Sequence, residues 1–366
     1  PDGFLQSMNV TAARLAGRVG LRIGSLELRH RRDFGEMPAL SARGHVAGPL
    51  VPLRDGEGVP LDRLKGSVAL VTRRPEGFDL AETAAAAADA GVRALVVPWG
   101  EPRWFHKTVH GAGGRIPVIR LRDALARRLA RRGGLAARVD LPLDVGSKAC
   151  SNVLGLRPGR VGAPALLLTA HYDHVGDDPH GYRFPGAEDN ASGVAAVLAA
   201  ARTLGRREPL PFPVLVGFLT GEESGSWGAR HLAAHSPLPL GAVINVDVVG
   251  VEAKLTAMRL GHSTPGDWLA GLAAEVLERR NVGPRWIRGQ DDSAAFIAAG
   301  LPTVGLGQQS VAGGGGKLHT PDDTADRLSL MAVREAAEVV VAMVDRLALD
   351  PSLLQLSRRR EEIWNV

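Results

Sequence analysis

From Ser151 onward, short uninterrupted apolar runs alternate with longer stretches whose apolar positions recur every three or four residues. The first pattern predicts strands buried on both faces, the second helices. The runs APALLLTA, PVLVGFLT (213–220), LGAVINVDVVG (240–250) and LPTVGLG (301–307) read as strands. Residues 191–205 read as a helix with Val194, Val197, Leu198, Ala201 and Leu204 on one stripe. Residues 267–280 form another, and 331–349 a closing helix with Val333, Val340, Met343, Val344 and Leu347 inward. Strands alternating with helices predict an α/β fold: a mostly parallel, mixed central sheet with helices on both faces. A smaller α/β unit precedes it. SVALVT (67–72), RALVVP (93–98) and IPVIRL (116–121) are its strands; 78–91, closed by Gly91, and 123–134 are its helices. LRIGSLELR (21–29) alternates in period two within a turn-rich start. The expected organisation is a lead-in over 1–45, an insert over 46–145 and a larger catalytic domain over 146–366, with no internal repeat.

The 366-residue chain has the length of two domains. Its 45% hydrophobic and 23% charged residues exclude wholesale disorder. No apolar run is long enough to predict a membrane-spanning helix. The single Cys150 excludes an internal disulfide framework and a cysteine-based zinc site. The net charge is +5, but arginine far outnumbers lysine, and aromatics are only 4%. Without stacking aromatics or a reader motif, the basic clusters at 127–132 and 358–360 read as solvated surface, and no nucleic-acid partner is expected. The chain begins at Pro1 rather than Met, so a processed or trimmed product is the expectation, with any export signal out of view.

Polar chemistry collects where the predicted strands end. One strand runs into His171, Tyr172, Asp173 and His174, and a loop then reaches Glu188, Asp189 and Asn190 before a helix. Other strands run into Glu222 and Glu223, and into Asp247; a later loop carries His319. Active sites of open α/β sheets gather at the C-terminal strand ends. Three or four carboxylates crowded there would cost several kcal/mol without cations. A mixed imidazole and carboxylate set with no thiolate suits a pair of Zn²⁺ ions and could also hold Co²⁺ or Mn²⁺. His171 and Asp173, two apart, share a strand face, so Asp173 could accept the second ring N–H of His171. Adjacent Glu222 and Glu223 point different ways, so one can bind metal while the other faces a water.

HYDHVG, PGAEDNASGVAA, TGEESGSWGARHL, NVDVVG and LHTPDDTAD together resemble the motif set of the di-zinc aminopeptidase family. That family also holds glutamate carboxypeptidases, glutaminyl cyclases and the transferrin receptor ectodomain. The stretch LKGSVALVTRR to RIPVIRL resembles the protease-associated domain, an insert found in several peptidase families. The resemblance implies His171 and Asp247 on one zinc, Glu223 and His319 on the other, and Asp189 bridging them. It implies Glu222 as general base working on a water shared by the two metals, Asp173 as support for His171, and a cis peptide between Asp189 and Asn190. Peptides are the implied substrates, cut at the N-terminal bond, and export is the implied location. The alternatives are a carboxypeptidase or dipeptidase of the same chemistry, a catalytically silent receptor-like relative, and a cyclase of N-terminal glutamine.

Departures from the pattern exist. Family members often carry Ser-Asp-His where this chain has Asp291-Asp292-Ser293, so Asp291 and Asp292 could attract a substrate amine or simply be solvated. The helical segment that usually precedes the insert is not found, so the expectation is a short N-terminus with a packing partner missing. His231 and His235, four apart on a predicted surface helix, lack the Glu of the HExxH motif. His106 and His110 have the same spacing in a loop. Gly313–Gly316 before Lys317 fails the phosphate-loop pattern and reads as a loop at the substrate mouth. Ser192 is not in a G-x-S-x-G elbow and reads as a helix-start residue.

Overall fold

A computed structural model describes residues 4–53, 64–111, 113–251, 257–260, 268–286, 291–308 and 317–355. Gln290, the glycine run 313–316 and the arginines at 358–360 lie outside them. The strands, in chain order, fall into two sheets. The first holds β1 (Leu5–Leu15), β10 (Leu143–Arg157), β11 (Ala165–His171), β12 (Val214–Leu219), β13 (Leu240–Val246), β14 (Ala257–Leu260), β15 (Gly283–Trp286) and β16 (Thr303–Gly307). Their order is β1-β10-β12-β11-β13-β16-β14-β15. Strands β12, β11, β13 and β16 run parallel, while β10 and β14 are antiparallel to their neighbours β12 and β16.

Helices cover both faces of that sheet, and its central strands are buried along nearly their whole length. Along β11, Leu166, Leu168 and Ala170 face α3 (Ser192–Gly205), α5 (Trp268–Arg279) and α7 (Leu330–Leu349). Ala165 and Leu167 face α4 (Trp227–Ala234) and α6 (Ser293–Ala298) on the other side. Every inward residue predicted on the closing helix is buried, and Ser329 caps that helix by accepting the Ala332 N–H. Truncating Leu168 to Ala would cost about 2–5 kcal/mol, the usual range for a packed core leucine. Predicted strand 240–250 stops at Val246, since Val248 turns the chain with φ 60. Among the described residues no helix is long and apolar enough to cross a membrane.

The second sheet holds β2 (Gly20–Ile23), β3 (Leu26–Leu28), β4 (Phe34–Glu36), β5 (Gly44–Leu53), β6 (Val68–Val71), β7 (Ala94–Pro98), β8 (Val118–Leu121) and β9 (Ala136–Leu141), in the order β3-β2-β9-β5-β6-β7-β8-β4. Two helices, α1 (Leu80–Asp89) and α2 (Asp123–Ala130), complete this unit. Helix α2 ends before the expected 134, where the chain turns into Gly133 and Gly134. LRIGSLELR is a hairpin, β2 pairing β3 across Gly24. The predicted lead-in 1–45 is divided between the sheets. β1 pairs along its whole length with β10, from Leu5 opposite Val153 to Leu15 opposite Leu143, whereas β2 to β4 belong to the second sheet.

Candidate metal centre

The parallel strands place their C-terminal ends on one edge, and six of the predicted residues meet there. His171 ends β11, Asp247 follows β13, and Glu222 and Glu223 lie in the turn after β12. Asp189 lies in the turn entering α3, and His319 in the loop leading to α7. Gly186 opens the Asp189 turn at φ 65, where a side chain would be strained. Asn190 then ties the turn down. Its Nδ2 donates to Val246 O at 3.0 Å, and its Oδ1 accepts from Gly193 N at 3.0 Å and Val248 N at 3.2 Å. The peptide between Asp189 and Asn190 is cis.

Asp189 offers its two oxygens in different directions. Oδ1 lies 3.1 Å from His171 Nε2, which is also 3.2 Å from Asp247 Oδ1. Oδ2 lies 2.9 Å from His319 Nε2, which is also 2.9 Å from Glu223 Oε2. The ligand atoms of His171, Asp189 and Asp247 all fall within 4.8 Å of one another, and so do those of His174, Asp189 and Glu223. Two donor triads therefore share one carboxylate. Both are made of imidazole and carboxylate only, a shell that suits zinc.

The electrostatics favour added positive charge. Burial pushes the Glu222 carboxyl up to about 10; Asp247, Asp292 and Glu223 add to this and His171 opposes it. Burial also raises Asp247. His319 is pushed up to about 10, its burial outweighed by hydrogen bonds to Asp189 and Glu223. His171 is likewise raised well above the ordinary imidazole range, against its burial, by Asp247, Asp173 and Asp189. Asp189 is held well below the carboxylate range, again against burial, by hydrogen bonds from both imidazoles. With no metal, the carboxylates thus favour the protonated form of both histidines. Divalent cations would displace those protons and take up the same negative charge.

The supporting residues differ in detail from the sequence expectation. The Asp173 carboxylate stands 3.6 Å from His171 Nδ1, beyond a good hydrogen bond, and the Asp173 carbonyl is nearer at 3.2 Å. The carboxylate instead accepts the Glu222 N–H at 3.1 Å and the Glu223 N–H at 3.4 Å, so it holds the turn that presents both glutamates. Glu222 is in neither triad, and its carboxyl makes no hydrogen bond among the described residues. Asp291 Oδ1 accepts from Ser293 N at 2.7 Å. Asp292 is only 1% exposed and both its oxygens lack hydrogen-bond partners among the described residues, which overturns the solvated-loop alternative for it. It packs into the core at the start of α6, where burial pushes its carboxyl up to about 8. His231, half-buried, and exposed His235 stack on α4 away from any carboxylate partner. Ser192 Oγ is occupied with Glu188 O and Val249 N.

Two residues at the centre carry no assigned role in the sequence reading. His174 Nδ1 donates to Glu223 Oε1 at 2.8 Å, which leaves Oε2 beside His319. Asp323 accepts the Glu188 N–H at 2.6 Å and the Asp189 N–H at 3.2 Å, fixing the shared carboxylate from below. Both sit inside quoted motifs, HYDHVG and LHTPDDTAD, and that was their only signal.

The second sheet unit also reaches the centre. His319 has φ 57, and its carbonyl accepts from Lys107 N at 3.0 Å. Lys107 Nζ donates to Gly176 O and Asp177 O, each at 2.8 Å, on the loop between His174 and Asp189. Beside it, wholly buried Arg31 donates to Asp178 Oδ2 at 2.7 Å and to Glu36 Oε1 at 2.6 Å. His30 Nε2 meets Glu36 Oε2 at 2.7 Å. His106, half-buried here, is pushed down to about 4, first by burial and then by the charges of His319, Arg120 and Arg31. It supports no ligand role with His110.

The chain is similar to known proteins described as zinc metalloproteases and aminopeptidases. The model described as Peptidase family M28 matches residues 152–344. A probable zinc metalloprotease of Pyrenophora tritici-repentis (strain Pt-1C-BFP) is 30% identical over 215 residues, which cover 47% of this chain and 43% of that protein. Aminopeptidase YwaD of Bacillus subtilis (strain 168) is 25% identical over 297 residues, 76% of this chain and 62% of its own. The chain thus spans less than two thirds of each of these relatives. Among solved structures, the aminopeptidase from Aneurinibacillus sp. strain AM-1 superposes with a TM-score of 0.67 at 20% identity, covering 94% of this chain and 83% of that one. At that identity the likeness is one of fold, and it extends over both sheets.

Proposed function

The chain belongs to peptidase family M28, and from that membership we propose that it is a two-zinc aminopeptidase. His171, Asp247 and one oxygen of Asp189 would hold one ion; Glu223, His319 and the other oxygen of Asp189 would hold the second. The observation that carries this reading is the shared Asp189, whose two oxygens face different histidines. When bound, the zinc pair would supply the charge that makes a water acidic near neutral pH and that polarises the scissile carbonyl.

The chain's own residues do the rest. Glu222, whose carboxyl the charge of bound cations would bring down from its raised metal-free value, takes the proton of the attacking water and passes it to the leaving amine. Its lack of other hydrogen bonds and its place beside Glu223 suit that task. Asp173 grips both glutamate amides, so base and ligand are presented by one turn. His174 keeps Glu223 oriented by occupying Oε1. The many carboxylates around the centre favour a substrate's free amine over a free carboxylate, which supports an aminopeptidase over a carboxypeptidase. The smaller unit, read as a protease-associated domain, braces the centre through Lys107, whose N–H donates to the His319 carbonyl.

Metal analysis should find close to two zinc per chain. An aminoacyl anilide should be hydrolysed and an N-blocked dipeptide should not, with chelator abolishing turnover. Glu222→Gln should retain its metal and lose nearly all turnover; full activity in that variant would refute the assignment.

A further inference from the structure

A cavity of about 300 Å³ runs along one face of the β1–β10 ladder, and the metal chemistry leaves it unused. Opposite residues of an antiparallel pair share a face. Val10 stands opposite Lys148, Ala12 opposite Gly146, and Met8 opposite Cys150. Val10, Ala12, Gly146, Lys148 and Cys150 form this wall. Val109 of the smaller unit forms another and is fixed there as its carbonyl accepts from Ala13 N at 3.0 Å. Asp173, His174, Gly221 and Ser224 make the wall shared with the metal centre.

Three features say what it holds. Its volume is at the small end of the range for ligand pockets. Its ladder wall and Val109 are mostly apolar. Gly221 and Ser224 bracket the glutamates, so the cavity adjoins the turn from which Glu222 would return a proton to the departing amine. Arg14 at its margin is tied to Asp144 at 2.7 Å, whereas Lys148 has no acidic partner among the described residues.

We propose that this groove receives the leaving half of the peptide: one or two apolar residues beyond the cut bond, with the terminal carboxylate of a short peptide reaching Lys148. The proposal rests on the aminopeptidase reading and adds a preference for peptides over small amides.

Gly146→Trp tests it. Gly146 lines the cavity and a Cβ there meets nothing within 4 Å, so an indole has room at the groove without disturbing packed backbone. Specificity constants are compared for an aminoacyl anilide and for a peptide with the same first residue followed by three apolar ones. The peptide should lose at least about tenfold, the worth of one buried apolar side chain, with the anilide nearly unchanged. Cys150 is the only thiol in the chain and gives a second measurement on the native protein. The peptide should slow its alkylation by a maleimide and the anilide should not. Lys148→Glu should raise KM for a tripeptide with a free C-terminus and leave its C-terminal amide unaffected. Peptide and anilide falling together, or a peptide rate unmoved by the indole, overturns the groove. Protection by the anilide alone places the amino-terminal side there and also overturns it. Failure of the unmodified protein to cut either substrate refutes the aminopeptidase reading instead.

Discussion

Replacing Arg31 by Met would remove a guanidinium that is wholly buried between the smaller unit and the loop leading to Asp189. The methionine keeps much of the apolar stem but leaves Glu36 and Asp178 without their main counter-charge. Removing one partner of a buried ion pair typically costs about 3–5 kcal/mol. Two neighbours soften the loss: His30 remains 2.7 Å from Glu36, and Lys107 remains 3.4 Å from Asp178. The lower end, about 3 kcal/mol, is therefore expected. At about 2–4 °C per kcal/mol, the thermal midpoint should fall by about 6–12 °C. The loss also depends on pH. Burial would raise the Glu36 carboxyl, but Arg31, His30 and Arg120 hold it below the ordinary range. A depressed folded value contributes stability above the unfolded value of about 4.3 and loses it as pH falls through the folded one. Without Arg31 the depression shrinks, so the gap between native protein and variant should be full at pH 7 and narrow in acid below about pH 4. Thermal melts by circular dichroism across that range read both effects. A midpoint shift under about 2 °C at pH 7, or a gap that widens on acidification, would refute the reasoning.

The shared carboxylate makes Asp189→Asn the severer ligand change: it should lose both metals, whereas His319→Ala should lose one, as read by elemental analysis after dialysis. Asp323→Asn should weaken metal binding by about 10–100-fold, measured by chelator competition, while the far-ultraviolet spectrum stays native. Gly193→Ala would put a Cβ 2.3 Å from Asn190 Oδ1 and 2.5 Å from Val246 O, so urea unfolding should show a loss of about 1–3 kcal/mol together with reduced activity.

What the sequence disclosed, and what it hid, follows from how each feature is encoded. Strands buried on both faces carry their pattern locally, so β11, β12, β13 and β16 were readable, and with them the residues at their ends. His174 escaped because it lies past the end of β11, where the turn rather than strand alternation sets its direction. Asp173 was expected to serve His171, but the same turn lets it reach the glutamate amides first. The burial of Asp292 depends on α6 packing against β16, which spacing does not reveal. The Arg31 cluster joins residues 147 positions apart in the chain and leaves no local trace. The half-polar alternation of β1 shows a strand but not its partner, so the lead-in was read as one piece.

A single strand pair joins the two units. Leu15 faces Leu143, and Ala16 N donates to Pro142 O at 2.8 Å, so everything between them departs and returns through one narrow neck. A tight reverse turn could splice the two strands into a plain hairpin, so the smaller unit is topologically an insertion in the larger one. The insertion is not a passive passenger: excising it would strip away Lys107, and with it the amide that steadies the His319 carbonyl.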